Sequence, residues 1–196
     1  VSATHAILAD WAKTSARDAA ALPLTEFMQA ARAVAFDPAR LAARFQVPLD
    51  VILRRLIHLP DDADVPLMGL AVCDSAGVVT FQKPVLDFRL PRAGAACPLW
   101  PLYQSLSQPG RVLRRVVRLP GVARTPFECF AIASPAGDVA YEVEPRMIAT
   151  MLVRVARNYD QSDVVGPGCD NAQIYLDQKF GSLAKVTFTG IGTLMT

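Results

Sequence analysis

The hydrophobic period of this chain changes once, near residue 60, and that change limits it to folds that set helices against a sheet. Residues 1–59 are Ala-rich and follow a helical period. Ala6, Ile7, Ala9, Trp11 and Ala12 open it, and Leu24, Phe27, Met28, Ala31 and Val34 recur at spacings of 3, 4 and 7. Asp37-Pro38 is a helix start, an N-cap followed by Pro at the first helical position. Leu41, Ala42 and Phe45 supply that helix's apolar stripe. After a turn at Gln46-Val47-Pro48, Leu49, Ile52, Leu53 and Leu56 supply the next. Leu59-Pro60-Asp61-Asp62-Ala63-Asp64 is a polar break and the expected boundary between a helical segment, 1–60, and a second domain, 61–196.

Beyond the break, short apolar runs alternate with turns. Leu67 to Cys73 reads as a buried strand, Asp74-Ser75-Ala76-Gly77 as a turn and Val78 to Phe81 as the return strand of a hairpin. Val85 to Leu90 looks extended, and Leu99 to Leu106 fits one short helix. Arg111 to Leu119, Phe127 to Ser134 and Asp138 to Val143 read as strands. Met147 to Ala156 is ambiguous, because Met147, Ile148, Met151, Leu152 and Val155 fit a helix by spacing. Ile174 to Leu176 and Val186 to Phe188 are short strand candidates in the tail. Hairpins with a few helices predict an α+β fold, an antiparallel sheet with helices on one face.

Composition narrows the function. Of 196 residues, 52% are hydrophobic and 19% charged, enough to bury a sizeable core and too apolar for a disordered chain. The net charge of +2 does not mark a dedicated nucleic-acid or membrane binder. Apolar runs are too short to span a bilayer, and no secretory signal opens the chain, so a cytoplasmic protein is expected. An opening Val1 in place of Met suggests an excised fragment. Cys73, Cys97, Cys129 and Cys169 are separated by 24, 32 and 40 residues, with no C-x-x-C, and read as reduced thiols. His5 and His58 are the only histidines, and no zinc-peptidase, nucleophile-elbow or phosphate-loop motif is present. No activated nucleophile, paired base or metal set points to an enzyme.

Residues 37–58 admit a helix-turn-helix reading, in which Arg54 and Arg55 meet DNA phosphates or base edges. The competing reading is a small helical bundle with both arginines solvated, which the weak electrostatic footprint favours.

The most unusual stretch is basic. Between Asp87 and Glu128, forty residues contain no acid and carry Arg89, Arg92, Arg111, Arg114, Arg115, Arg118 and Arg124, seven of the chain's 20 basic residues. Within it runs Arg92-Ala93-Gly94-Ala95-Ala96-Cys97-Pro98-Leu99-Trp100, followed by Tyr103 and Pro109-Gly110-Arg111. Small residues let a ligand approach the backbone, Trp and Tyr give flat apolar surface, and arginine suits phosphate. Together they suit an anionic ligand with an apolar or aromatic part. A solvated basic strand beside a buried Trp corner is the alternative.

Ala96-Cys97-Pro98-Leu99-Trp100 with Pro109-Gly110-Arg111 resembles the C-terminal domain of bacterial regulators of short-chain fatty acid metabolism. Leu41 to Pro48 with Arg55-Leu56 resembles the helical segment before that domain, and Val65-Pro66-Leu67 with Asp74 to Gly77 its opening hairpin. The resemblance covers roughly residues 20–135 and is nearest to propionate- and acetate-responsive regulators. It implies a GAF-like sensory domain associated with coenzyme A or a short-chain acyl-CoA. Residues 1–59 resemble the tail of a segment similar to the ImmA/IrrE metallopeptidases, without its zinc site. Operator DNA would be bound only through an N-terminal module that this chain lacks, and a homodimer would match palindromic operators.

On that resemblance, Lys83, Arg89, Arg92, Arg111 and Arg114 are the candidate phosphate contacts, while Cys97, Trp100 and Tyr103 line the adenine or acyl end. Cys97 is taken as a small apolar wall, since no His stands near it in sequence. Relatives commonly end in a cysteine cluster able to hold an iron–sulfur cluster. Here Gly166-Pro167-Gly168-Cys169 matches its first Cys, but no further Cys follows, so a cluster is not expected. A structural dimerisation domain without ligand is the other reading.

Overall fold

The computed structural model describes residues 3–86, 88, 100–118, 125–136, 146–157 and 164–165. Arg89, Arg92, Cys97 and Cys169 lie outside the described residues, as do the strands expected at 138–143, 174–176 and 186–188.

Four helices come first: α1 (Ala3–Ala21), α2 (Leu24–Ala33), α3 (Pro38–Phe45) and α4 (Leu49–Leu56). The Asp37 side chain accepts the Arg40 N–H at 3.0 Å and Pro38 opens α3, as the sequence predicts. Gln46, at φ 54°, ends it in the left-handed region. A hairpin follows, β1 (Met68–Cys73) and β2 (Val79–Lys83), then α5 (Pro101–Leu106), β3 (Leu113–Arg118), β4 (Pro126–Pro135), β5 (Met147–Val155) and a short β6 (Val164–Val165). The hairpin turn is closed by Asp74, whose carboxylate accepts from the N–H groups of Ala76 and Val78, with Gly77 at φ 80°.

The described strands join one sheet in the order β2-β1-β5-β4-β3-β6. The first five pair antiparallel, and β6 adds to β3 in parallel. Residues 147–155, whose spacing also fits a helix, form the strand between β1 and β4. A strand covered on both faces carries apolar residues on both, so its alternation is lost and its spacing imitates a helix.

Alternation along the strands builds two cores. Met68, Leu70, Val72, Phe130, Ile132 and Leu152 face α2–α4 and pack with Phe27, Leu41, Ile52, Leu53 and Leu56. Ala71, Cys73, Cys129, Ala131, Ala133, Ala149, Met151 and Val153 face the other way, with Trp100 and Leu102 of the α5 region. The small residues on this second face let α5 lie close to the sheet. Helices therefore cover both faces, where the sequence predicts one. Helices and sheet also share the first core across the expected boundary at residue 60.

Both readings of Arg54 and Arg55 are overturned. The two side chains are buried, at 8% and 6% exposure, so they are neither solvated nor free for DNA. Arg54 Nε donates to Asp18 Oδ2 of α1 at 2.6 Å and Nη1 to Asp50 Oδ2 at 2.7 Å. Arg55 Nε donates to the Leu22 carbonyl at 2.9 Å and its guanidinium lies over Phe27. Arg54 can be kept inside because it is paired with carboxylates, and Arg55 because it is hydrogen-bonded and lies over an aromatic ring; together they fasten α1 and the α1–α2 junction to α4.

Candidate functional site

Lys83 ends β2, the edge strand beside β1, and its Nζ donates to the Ile57 carbonyl just past α4 at 2.6 Å. Lys83 and Ile57 both line a cavity of about 190 Å³ between the end of α4, the 59–67 connection and the 83–86 segment. Leu59, Val65, Met68 and Val85 give it apolar walls, and Asp61 and Asp62 are its acidic residues. Asp62 is drawn towards α2, where Arg32 Nη2 reaches its Oδ2 at 2.8 Å and Arg32 Nε reaches Asp64 at 2.6 Å. The polar break read from sequence is thus tied to the helical layer.

Two short-range constraints shape this corner. Gly69 in β1 has no room for a Cβ, which would stand 2.7 Å from the Lys83 carbonyl oxygen and 2.9 Å from Val85 Cγ1. Leu86, half-exposed at the cavity, sits at φ 44°, a left-handed position that costs a branched apolar residue strain.

Arg114 stands on β3, facing the helical layer, and belongs to a cluster centred on Glu128 of β4. Glu128 is 3% exposed, and its Oε1 accepts from Arg114 Nε at 2.6 Å. Its Oε2 accepts from Arg154 of β5 through Nε at 2.9 Å and Nη2 at 2.8 Å. Both guanidiniums lie over the Phe130 ring, at 5.6 and 5.3 Å. Arg114 keeps 60% of its side chain exposed and Arg154 only 14%. Arg114 is thus partly open to an anion while already satisfied by a buried carboxylate.

Trp100 and Tyr103 occupy the opposite face. Trp100, 7% exposed, meets Phe88 edge-on at 5.2 Å between ring centres, and Phe88 in turn meets Phe127 at 5.1 Å. It is a core residue of the second cluster. Tyr103 packs at the rim of that cluster, its ring 3.4 Å from where a Gly77 Cβ would stand, and burial pushes its phenol up. Arg111 is exposed before β3, held to Gln108 Oε1 at 3.0 Å.

Four of the described residues of the expected site are therefore divided by the sheet. Lys83 and Arg114 lie on the helical side, and Trp100 and Tyr103 on the α5 side. Sequence reading missed Glu128 and Arg154. An acid inside an apolar run, Pro126 to Ala133, with a lone Arg in the apolar run 147–155, was the available signal: a buried acid needs a buried base.

The described thiols, Cys73 and Cys129, are buried on different strands of the α5-side core. Burial pushes Cys73 up to about 11 and Cys129 further, so neither fits a thiolate ligand set. Among the described residues, no group of three or more His, Cys, Asp or Glu can hold a metal, and no helix is long and apolar enough to cross a membrane.

Comparison with known proteins places this architecture. Residues 56–174 match the family model described as short-chain fatty acyl coenzyme A regulator, C-terminal. A propionyl-CoA carboxylase regulator of Cereibacter sphaeroides is 34% identical over 122 residues, covering 61% of this chain and 26% of that protein. The HTH-type transcriptional regulators PrpR and RamB of Mycobacterium tuberculosis are 32% and 31% identical, covering 50% and 52% of this chain and 21% and 22% of their own lengths. The chain thus spans about a quarter of the length of these curated relatives, all of them regulators. A solved Mycobacterium tuberculosis transcriptional regulator superposes with a TM-score of 0.61 at 25% identity, over 78% of this chain and 51% of that one. With more than half of its residues matched to the family model, this chain belongs to the short-chain fatty acyl coenzyme A regulators and carries their C-terminal region.

Proposed function

We propose that this chain is the effector-sensing part of a transcription regulator of propionate or acetate metabolism, and that its effector is a short-chain acyl-CoA. One observation carries the reading: the acid-free basic stretch between Asp87 and Glu128 falls wholly inside the region matched to the acyl coenzyme A regulator family. A coenzyme carries several phosphate charges, and arginine is the side chain that meets them bidentately. Among the described arginines of that stretch, Arg111, Arg115 and the outer part of Arg114 are exposed for that role. Trp100 is better read as the support of the corner than as a ligand contact, because it is buried against Phe88.

A GAF-like sensory fold and a homodimer belong to the same proposal. The antiparallel sheet covered by helices supports the first, and the two-fold symmetry of operators the second. Operator DNA would be bound by another part of the regulator. The helix-turn-helix alternative over 37–58 loses its support, since Arg54 and Arg55 are used inside.

Isothermal titration of the chain with coenzyme A, acetyl-CoA and propionyl-CoA, beside ATP as a phosphate-rich control, tests the proposal. Saturable binding that depends on the acyl group and exceeds that of ATP is expected. Absence of binding to all three coenzymes, or binding no better than ATP, leaves a structural dimerisation domain as the better account.

A further inference from the structure

We propose that the cavity at the end of α4 seats the short acyl chain of the effector, with the thioester carbonyl oxygen on the Lys83 ammonium; this rests on the acyl-CoA reading above. The first argument is size. About 190 Å³ is smaller than the roughly 300–1,000 Å³ of sites that hold drug-sized ligands, so the cavity takes a short group and not a whole coenzyme.

The second argument is chemistry. Leu59, Val65, Met68 and Val85 present apolar walls to an alkyl chain. An ammonium has three N–H donors, and Lys83 gives one to the Ile57 carbonyl at 2.6 Å. That bond orients the head group while leaving donors for an acceptor oxygen. One such ammonium beside apolar walls suits a carbonyl with a short tail.

Charge selects between the two sources of that group. Asp62 shares the one charge of Arg32 with Asp64, at 2.8 and 2.6 Å, so the corner keeps a net negative charge, and Asp61 adds a further acidic residue to the lining. It opposes a free carboxylate and leaves a neutral thioester carbonyl unopposed. Leu67 and Leu86, 59% and 54% exposed, offer apolar lips for the arm that follows the thioester. The left-handed Leu86 adds an independent sign, since such strain collects at ligand clamps.

Location gives the site a consequence. Its walls come from the end of α4 and from the β1–β2 end of the sheet, so an occupant touches both layers at once. A ligand that fits one spacing of these layers better than another shifts their equilibrium by that difference.

Titration of the chain and of Lys83→Met and Val65→Phe with propionyl-CoA, coenzyme A and sodium propionate tests this. In the unmodified chain propionyl-CoA should bind about tenfold tighter than coenzyme A, as burial of a few carbons predicts, and propionate should bind more weakly than propionyl-CoA. Both substitutions should bring the propionyl-CoA to coenzyme A ratio close to one. Val65→Phe fills the cavity without touching the Lys83–Ile57 bond, so it still reports if Lys83→Met fails to fold. Equal binding of the two coenzymes, or a ratio unmoved by Val65→Phe, overturns the acyl seat and leaves the sensor reading standing. Propionate binding tighter than its thioester overturns the thioester assignment. No binding of either coenzyme brings down the sensor reading, and this proposal with it.

Discussion

Arg154 Nη1 donates to the Phe36 carbonyl at 2.7 Å and so fastens strand β5 to the turn between α2 and α3. Ala35 and Phe36 in that turn both have positive φ, 53° and 56°. Two consecutive left-handed residues without glycine are strained, at about 1–2 kcal/mol each. Burial of Phe36 at 5% exposure and the Arg154 bond hold them there. The same guanidinium neutralises Glu128, so one side chain serves the sheet and the helical layer together.

Arg154→Met should therefore destabilise the chain by about 3 kcal/mol, because it unpairs one side of a buried carboxylate and releases the turn. Arg114→Met, removing a partner that is 60% exposed, should cost less than about 1 kcal/mol. Urea denaturation of the two variants checks the asymmetry. Equal losses would contradict the assignment of Arg154 as the inner partner.

Asp18→Ala should cost about 3–5 kcal/mol, since it leaves the buried Arg54 with Asp50 alone and unties α1 from α4. In the same chain, DNA affinity should show no dependence on Arg54 or Arg55. Fluorescence anisotropy with duplex DNA over a salt series reads this, and a steep salt slope lost on substituting either arginine would restore the DNA-binding reading.

Much of this fold was legible in the sequence. The change of period at residue 60, the Asp37-Pro38 helix start and the Asp74 to Gly77 turn are local signals, and each appears where expected. What failed was non-local. Strand β5 was ambiguous because both its faces are covered, and the short helix expected at 99–106 is present as α5, but its place on the second face of the sheet was not legible because that depends on tertiary packing. Arg54, Arg55 and Arg154 look like surface residues until their partners, 36, 33 and 26 positions away, are known. The candidate site suffered most. A basic stretch shows composition, but the alternation that divides Arg114 from Trp100 appears only with strand register.

Gly69→Ala should destabilise by about 1–3 kcal/mol, since its Cβ meets the Lys83 carbonyl oxygen and Val85 at once. Thermal melting measures it. A neutral result would show that the β1–β2 end is free to shift, and would loosen the cavity described above.

His58 lies beside α1, with Nε2 3.4 Å from Ser15 Oγ and its ring 6.3 Å from Trp11. Burial first, then the charges of Lys83 and Arg55, hold it below the ordinary value of 6.5. A base depressed on folding contributes stability above its unfolded pKa and loses it as pH falls through the folded one. The chain should thus lose stability as pH drops below about 6.5, and His58→Gln should reduce that loss. Denaturation midpoints at pH 7.5 and 5.5 for both chains decide it; identical slopes would contradict the assignment.

The central claim, that this chain senses a short acyl-CoA, is tested most directly by hydrogen exchange with and without saturating propionyl-CoA. Protection should rise at the end of α4 and in the 83–86 segment, where the cavity joins the two layers, and coenzyme A alone should give less of it there. An exchange pattern unchanged by propionyl-CoA at any residue would contradict the account.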